Sequence, residues 1–256
     1  MSIERVNILG VRVSAINMTM AIDTINTWIQ EKRQNYVCVT PVHSIMLCQD
    51  DENLRHIYNT AGLVTPDGMP VVWLCQLQGF RHVERVYGPD LMMAICQHSM
   101  SNGYRHFFYG STTSTLRQLE ANLKDRFPNL QVAGSYSPPF GPLTVEEDEE
   151  IINIINAAEP DIVWVGLGAP KQELWMYEHL GRIKAPTLIG VGAAFDFHAN
   201  VKKQAPLWMQ RNGLEWLFRF ISEPHRLWRR YLINNPLFIF LILLQYLKSR
   251  RYSVML

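Results

Sequence analysis

Short apolar, β-branched runs alternate along the chain with stretches in which apolar residues recur at helical spacing. VNILGVRV, YVCVT, GLVT, HFFYG, LQVAGSY, DIVWVGLG and PTLIGVGAAF are each bounded by Gly, Pro, Asn or Asp and predict strands. Between them, MTMAIDTINTWIQEKR sets Met20, Ile22, Ile25, Trp28 and Ile29 roughly along one face, and STLRQLEANLKDRF does the same with Leu116, Leu119 and Leu123. Such βαβα alternation predicts an α/β fold, a parallel or mostly parallel sheet covered by helices on both faces, with ligands at the carboxyl ends of the strands.

The pattern changes near Gln204. From there to the end the chain reads as helices only, rich in Trp, Phe, Leu and Arg, with breaks expected at Pro224 and Pro236. The expected division is an α/β core over 1–203 and an all-helical appendage over 204–256. The run LFIFLILLQYL, Leu237 to Leu247, is apolar all round but is about half of the ~20 residues that a bilayer span needs. It is therefore expected to lie in a lipid interface and not to form a conventional transmembrane helix.

Charge sharpens this division. The net charge is +1, yet from Lys202 onward ten Lys and Arg face only Glu215 and Glu223, a net of +8 that leaves −7 for the rest. Arg226, Arg229 and Arg230 precede the apolar run and Lys248, Arg250 and Arg251 follow it, an arrangement suited to an anionic membrane surface. A helix completing the core, or an oligomer contact, is the alternative. Nucleic acid fits poorly, because the basic residues share their segment with an unbroken apolar run.

Composition adds two limits. With 256 residues, 48% of them hydrophobic, the chain can bury a sizeable core. Cys38, Cys48, Cys75 and Cys96 form no CxxC pair, and the N-terminus lacks a signal-peptide pattern, so reduced thiols and a cytoplasmic location are expected.

Three strand ends carry candidate chemistry. In TPDGMPVVW, Asp67 is the centre of a Pro-Asp-Gly turn, and the preceding strand delivers it to the ligand-binding edge of the sheet. YVCVT delivers Thr40 likewise, with His43 three residues on. GLGAPKQE places Gly168, Lys171 and Gln172 where a helix starts after a strand, so that backbone N–H groups face an anionic ligand. The same residues also read as an ordinary βα turn. No GxGxxG or Walker pattern is present, which disfavours a nicotinamide oxidoreductase. In GVGAAFDFHAN, Asp196 and His198 share a face if the strand persists. Asp196 is then placed to accept from ribose hydroxyls, or else it caps the next helix. Two such ligands make a poor metal site, and no metal or cofactor is expected. The acidic run Glu146 to Glu150 after Thr144 reads as a solvated first helical turn.

TPDGMPVVW, ERVYGPDL (Glu84 to Leu91), GLGAPKQE, GVGAAFDFHA and APLWMQRNGLEWLFRFISEPHRLWRRYL stand in order over nearly the whole chain. Together they resemble the WecG/TagA/CpsF glycosyltransferases. The resemblance implies a Rossmann-like core, a membrane-associating tail and metal-independent inverting transfer. The transferred sugar, such as N-acetylmannosamine, would pass from a UDP-sugar to an undecaprenyl-diphosphate-linked sugar on the cytoplasmic face of the membrane. It also implies roles: Asp67 as general base, Thr40 in contact with substrate, Gln172 near the donor, Asp196 on the ribose, and Arg219, Arg226 and Arg229 on the diphosphate. These arginines share one face if the helix passes Pro224 with only a kink. A non-catalytic nucleotide-sugar-binding recruitment partner is the alternative function.

Overall fold

The computed structural model describes the backbone of residues 3–253 and the side chains of residues 3–248. Arg250 and Arg251, two of the basic residues expected to flank the apolar run, have side chains outside that range.

In chain order the strands are β1 (Arg5–Ile8), β2 (Val11–Ser14), β3 (Asn35–Thr40), β4 (Leu63–Pro66), β5 (Arg105–Gly110), β6 (Gln131–Tyr136), β7 (Ile162–Gly166) and β8 (Thr187–Gly190). The helices of the core are α1 (Met18–Gln30), α2 (Val42–Asp50), α3 (Glu52–Thr60), α4 (Met69–Leu77), α5 (Gly88–Asn102), α6 (Thr113–Arg126), α7 (Val145–Ala157), α8 (Lys171–His179) and α9 (Ala194–His198). Strands β3 to β8 form one six-stranded sheet in the order β4-β3-β8-β7-β5-β6, parallel throughout. The predicted α/β class is therefore the observed one.

The near-continuous apolar runs of the strands have a direct cause. Tyr36, Cys38, Phe107, Tyr109, Val163, Val165 and Leu188 point to one face of the sheet, while Val37, Phe108, Ile162, Trp164 and Ile189 point to the other. Both faces are dry because helices cover both.

VNILGVRV behaves differently from a single strand. Leu9 and Gly10 take positive φ, 51° and 85°, and fold it into the antiparallel β1–β2 hairpin outside the main sheet. The hairpin lies beside the edge strand β4, where Ser14 Oγ accepts from the Val64 N–H at 3.0 Å. That contact covers backbone which would otherwise be open to another chain. The acidic run behaves as expected: Thr144 and Glu147 close a capping box at the start of α7.

The tail comprises α10 (Leu207–Arg211), α11 (Glu215–Ser222), α12 (Pro224–Trp228), a π-helical turn over Arg229–Ile233, and α13 (Asn234–Ser253). Glu223, at φ −138° and ψ 60°, separates α11 from α12. The expected kink is thus a break, and Arg219 does not share a helix face with Arg226 and Arg229. Pro236 makes no break. Proline lacks an N–H and crowds the carbonyl four residues back, and the wide turn just before it, closed by Asn234 N–H to Arg229 O, accommodates both defects.

The helical stretch Pro224–Lys248 is consequently long and apolar enough to cross a membrane by length and composition. The helix is longer than Leu237 to Leu247 because Pro236 does not end it. The helix is nevertheless fastened to the body of the protein. Phe238 is buried in the core cluster with Leu241 and Ile242 against it, and Gln245 accepts from Leu9 N–H at 2.8 Å and donates to Asn7 O at 2.9 Å. Its opposite face exposes Leu237, Phe240, Leu244 and Leu247. One side of α13 thus completes the core, while the other is apolar and uncovered.

Candidate active site

Asp67 follows β4 directly, and its N–H donates to Thr40 O at 3.3 Å across the paired ends of β3 and β4. Gly68, at φ 98°, supplies the left-handed turn that sends the chain into α4 and leaves the Asp67 side chain at the sheet edge. Thr40 is fully buried and its hydroxyl donates to Cys38 O at 2.9 Å, so it meets this edge through its carbonyl.

The loop carrying ERVYGPDL is stitched to the same strand. Val86 N–H donates to Pro66 O at 3.0 Å, and Thr65 Oγ1 donates to Val86 O at 3.2 Å. Arg85 is thereby held over Asp67, with Nε and Nη2 donating to Oδ1 at 3.3 and 3.2 Å. The same guanidinium reaches Glu215 Oε2 at 2.5 Å and Gln210 Oε1 at 3.3 Å in the tail, and lies 3.9 Å from the Tyr87 ring centroid.

Two carboxylates therefore share one cation in a site where each side chain is only 15% exposed. Burial pushes the Asp67 carboxyl up to about 6; Arg85 opposes the rise, Glu215 adds to it and Arg219 opposes it. Burial works to lower the Arg85 pKa, but Asp67 and Glu215 outweigh it and hold the guanidinium charged.

Around this triad is a cleft of about 710 Å³ between the start of α2, α4 and the tail helices. Its polar end holds Asp67, His43, Arg85, Arg219 and Arg230. Arg230 Nε and His43 Nδ1 are buried without a hydrogen-bond partner. Burial lowers His43 to about 4, helped by Arg230 and Arg219, and lowers Arg230 to about 10, helped by Arg219. Arg219 and Arg230 make no salt bridge among the described residues. A desolvated Arg230 beside an Arg219 without such a bridge is suited to an anion.

A model described as the glycosyl transferase WecG/TagA/CpsF family matches residues 6–252. The chain belongs to that family. Among characterised proteins it is 31% identical, over 69% of this chain and 66% of the other, to the N-acetylglucosaminyldiphosphoundecaprenol N-acetyl-beta-D-mannosaminyltransferase of Bacillus spizizenii. The protein of that name from Bacillus subtilis is 30% identical over 71% and 69% of the two chains. The one from Staphylococcus aureus strain MW2 is 25% identical over 93% and 92%.

For this WecG/TagA/CpsF member, the structure brings Asp67, His43 and Arg219 into one cleft. Arg226 and Arg229 are exposed and do not line it: Arg226 pairs with Glu223, and the Arg229 guanidinium sits 5.2 Å from the Trp228 ring centroid. Gly168, Lys171 and Gln172 stand at neighbouring strand ends. Gln172 is buried, accepting from Gly192 N–H at 2.9 Å and donating to Glu173 Oε1 at 2.9 Å, whereas Lys171 is exposed. Gly110, at φ 118°, and Gly166 meet so closely that a Cβ on Gly110 would stand 2.7 Å from the Gly166 backbone. This is where connections leave the sheet in opposite directions, from β5 toward β6 and from β7 toward β8, and such a reversal opens a crevice for ligands.

Asp196 and His198 differ from the strand-face arrangement. The strand ends at Gly190, and both residues lie on the short helix α9, where positions two apart do not face one another. Asp196 pairs with Lys202 at 3.2 Å, while His198 Nε2 contacts Pro89 O at 3.0 Å. A second cavity, about 1070 Å³, opens on the α5, α6 and α9 side and includes His198 and Arg126 but none of the Asp67 cluster.

Sequence reasoning missed Arg85, Glu215, Arg230 and Glu173. Glu173 is fully buried, and burial raises its carboxyl to about 7 against the opposing hydrogen bond from Gln172. ERVYGPDL and GLGAPKQE contain two of them, so the motifs were visible although the side chains' roles were not.

Proposed function

We propose that this chain transfers a sugar, N-acetylmannosamine or a close relative, from a UDP-sugar to a sugar carried on undecaprenyl diphosphate, with inversion at the anomeric carbon. The observation that carries the reading is Asp67. A carboxylate with its pKa near 6 is mostly ionised at neutral pH yet basic enough to accept a proton. Its Oδ1 is engaged by Arg85, which leaves Oδ2 for an incoming hydroxyl.

In this mechanism the acceptor hydroxyl attacks the anomeric carbon from the side opposite UDP. Its proton passes to Asp67 Oδ2 as the C–O bond forms, the bond to UDP breaks, and the nucleotide leaves as an anion. Proton acceptance in such a step is worth about 10²–10⁴ in rate. The growing charge on the departing diphosphate is met by Arg219, with Arg226 and Arg229 swinging in from the rim. Gly168, Lys171, Gln172 and Asp196 form the donor's nucleotide side at the adjacent strand ends, with His43 lining the sugar and Thr40 supporting Asp67 from beneath through its carbonyl.

The tail from residue 204 is read as an appendage that completes the site and rests on the cytoplasmic membrane surface through its basic residues and the uncovered face of α13. The names of the three Bacillus and Staphylococcus relatives support the acceptor. The test is product formation from UDP-N-acetylmannosamine and a short-chain polyprenyl-diphosphate N-acetylglucosamine in EDTA. Inverted product is expected. Absence of product with any UDP-sugar, despite nucleotide binding, would instead make the chain a recruitment partner.

A further inference from the structure

The cleft that holds Asp67 has a second chemistry along its length. On α4, the residues facing inward are Val71, Val72 and Cys75, all buried in the core. Met69, Trp73 and Leu77 recur at four-residue spacing on another side of the helix and line the cleft, with Trp73 45% and Leu77 70% exposed. Across from them, Ile239 and Leu243 of α13 repeat the same spacing and are 60% and 58% exposed. A surface helix ordinarily turns polar residues outward. Two apolar stripes, more than a hundred residues apart in sequence, instead face one trench that ends at unpaired arginines.

We propose that this trench is a subsite for the hydrocarbon chain of a polyprenyl diphosphate, whose diphosphate sits at Arg230. The inference rests on the acceptor class given above and adds where that acceptor's lipid goes. A free phosphate would satisfy the buried Arg230 Nε but would leave Trp73, Leu77, Ile239 and Leu243 in water. A neutral lipid would cover those side chains and leave the guanidinium without a partner. An amphiphile with an anionic head and an isoprenoid tail satisfies both. Access is also provided. The exposed Phe240, Leu244 and Leu247 continue along α13 from the trench, so a chain enters from the same apolar face without crossing water.

The experiment titrates the full chain with geranylgeranyl diphosphate, methyl diphosphate and inorganic diphosphate, below the lipid's micelle concentration. Binding is read by calorimetry and by the fluorescence of Trp73 and Trp216, both on the cleft wall. Geranylgeranyl diphosphate is expected to bind at least about tenfold more tightly than methyl diphosphate, since each buried methylene adds to affinity. In the Leu77→Gln, Ile239→Gln double variant the preference should fall below about threefold while methyl diphosphate binding is unchanged. Both positions are largely exposed, which protects folding. Arg230→Gln should weaken all three ligands, and Leu247→Gln, outside the trench, should keep the preference. Equal binding of the two organic diphosphates, or a full preference in the double variant, overturns the subsite. The transferase reading fails separately: chain-length preference without sugar transfer to any acceptor keeps the subsite and removes that reading.

Discussion

Arg85 Nη2 and Glu215 Oε2 lie 2.5 Å apart, and through this contact the helical tail reaches the carboxylate of Asp67. Arg85 belongs to the loop after α4 and Glu215 opens α11, so one guanidinium joins the sheet edge to the tail. The tail therefore affects the charge balance at Asp67 as well as the shape of the cleft.

Glu215→Gln should alter that balance without removing volume. Glu215 raises the Asp67 pKa and competes for Arg85, so its neutralisation should move the acid limb of the pH–rate profile below its expected midpoint of about 6. A profile identical to wild type would mean that the two carboxylates are not coupled.

Asp67→Asn retains the turn and nearly the volume while removing proton acceptance. Turnover should fall about 10²-fold or more with donor binding preserved. The stability signature is independent of activity. A carboxyl raised from 3.8 to about 6 on folding binds more protons in the folded state between those values, so wild-type stability should decline as pH rises through that window. Melting curves of the variant should show a shallower decline, with only the part due to Glu173 remaining, and an unchanged slope would assign the titration to another group.

Glu173 should be separable into charge and hydrogen bond. Glu173→Gln keeps an acceptor for Gln172 Nε2 and should support near-normal turnover, without the loss of stability expected in wild type as the raised carboxyl ionises through about 7. Glu173→Leu leaves the buried Gln172 amide unpaired, at a cost of about 1–3 kcal/mol. It should raise the donor KM more than it changes kcat. Equal kinetics in the two variants would reduce Glu173 to packing.

The arginines divide by position. Arg219→Ala and Arg230→Ala remove cations from the cleft and should each lower turnover on a soluble short-chain acceptor by about 10²-fold. Replacing both Arg226 and Arg229 with Ala should also abolish most turnover on that acceptor if they swing in from the rim. Normal turnover with reduced vesicle co-sedimentation would make the rim pair lipid contacts.

The two faces of α13 should behave differently. Phe238→Ala, in the core cluster, should destabilise the protein by about 3 kcal/mol in denaturant unfolding. Phe240→Gln with Leu244→Gln, on the uncovered face, should leave stability near wild type and weaken binding to anionic vesicles. Unchanged vesicle binding would assign that face to something other than lipid.

What the sequence determined by itself is the part of the protein set by near neighbours along the chain. The inner main-sheet strands were legible because burial on both faces makes them apolar nearly throughout, and Asp67 was legible because Pro66 and Gly68 mark a turn directly after a strand. The capping box at Thr144 was local in the same sense. The family resemblance, resting on five ordered motifs, is likewise a property of the sequence. Tertiary structure decided what depends on partners far away in the chain. Arg85 acquires its role only when Glu215, 130 residues on, is folded beside it, and Glu173 becomes a candidate only because burial in the core raises its carboxyl. Pro236 looked like a helix end because proline forbids the regular hydrogen bond, and only the preceding π turn lets the helix continue. Local pattern records how a residue's neighbours constrain its backbone. The electrostatics of a site depend on distance through space and on burial, and the packing of the sheet and tail sets both.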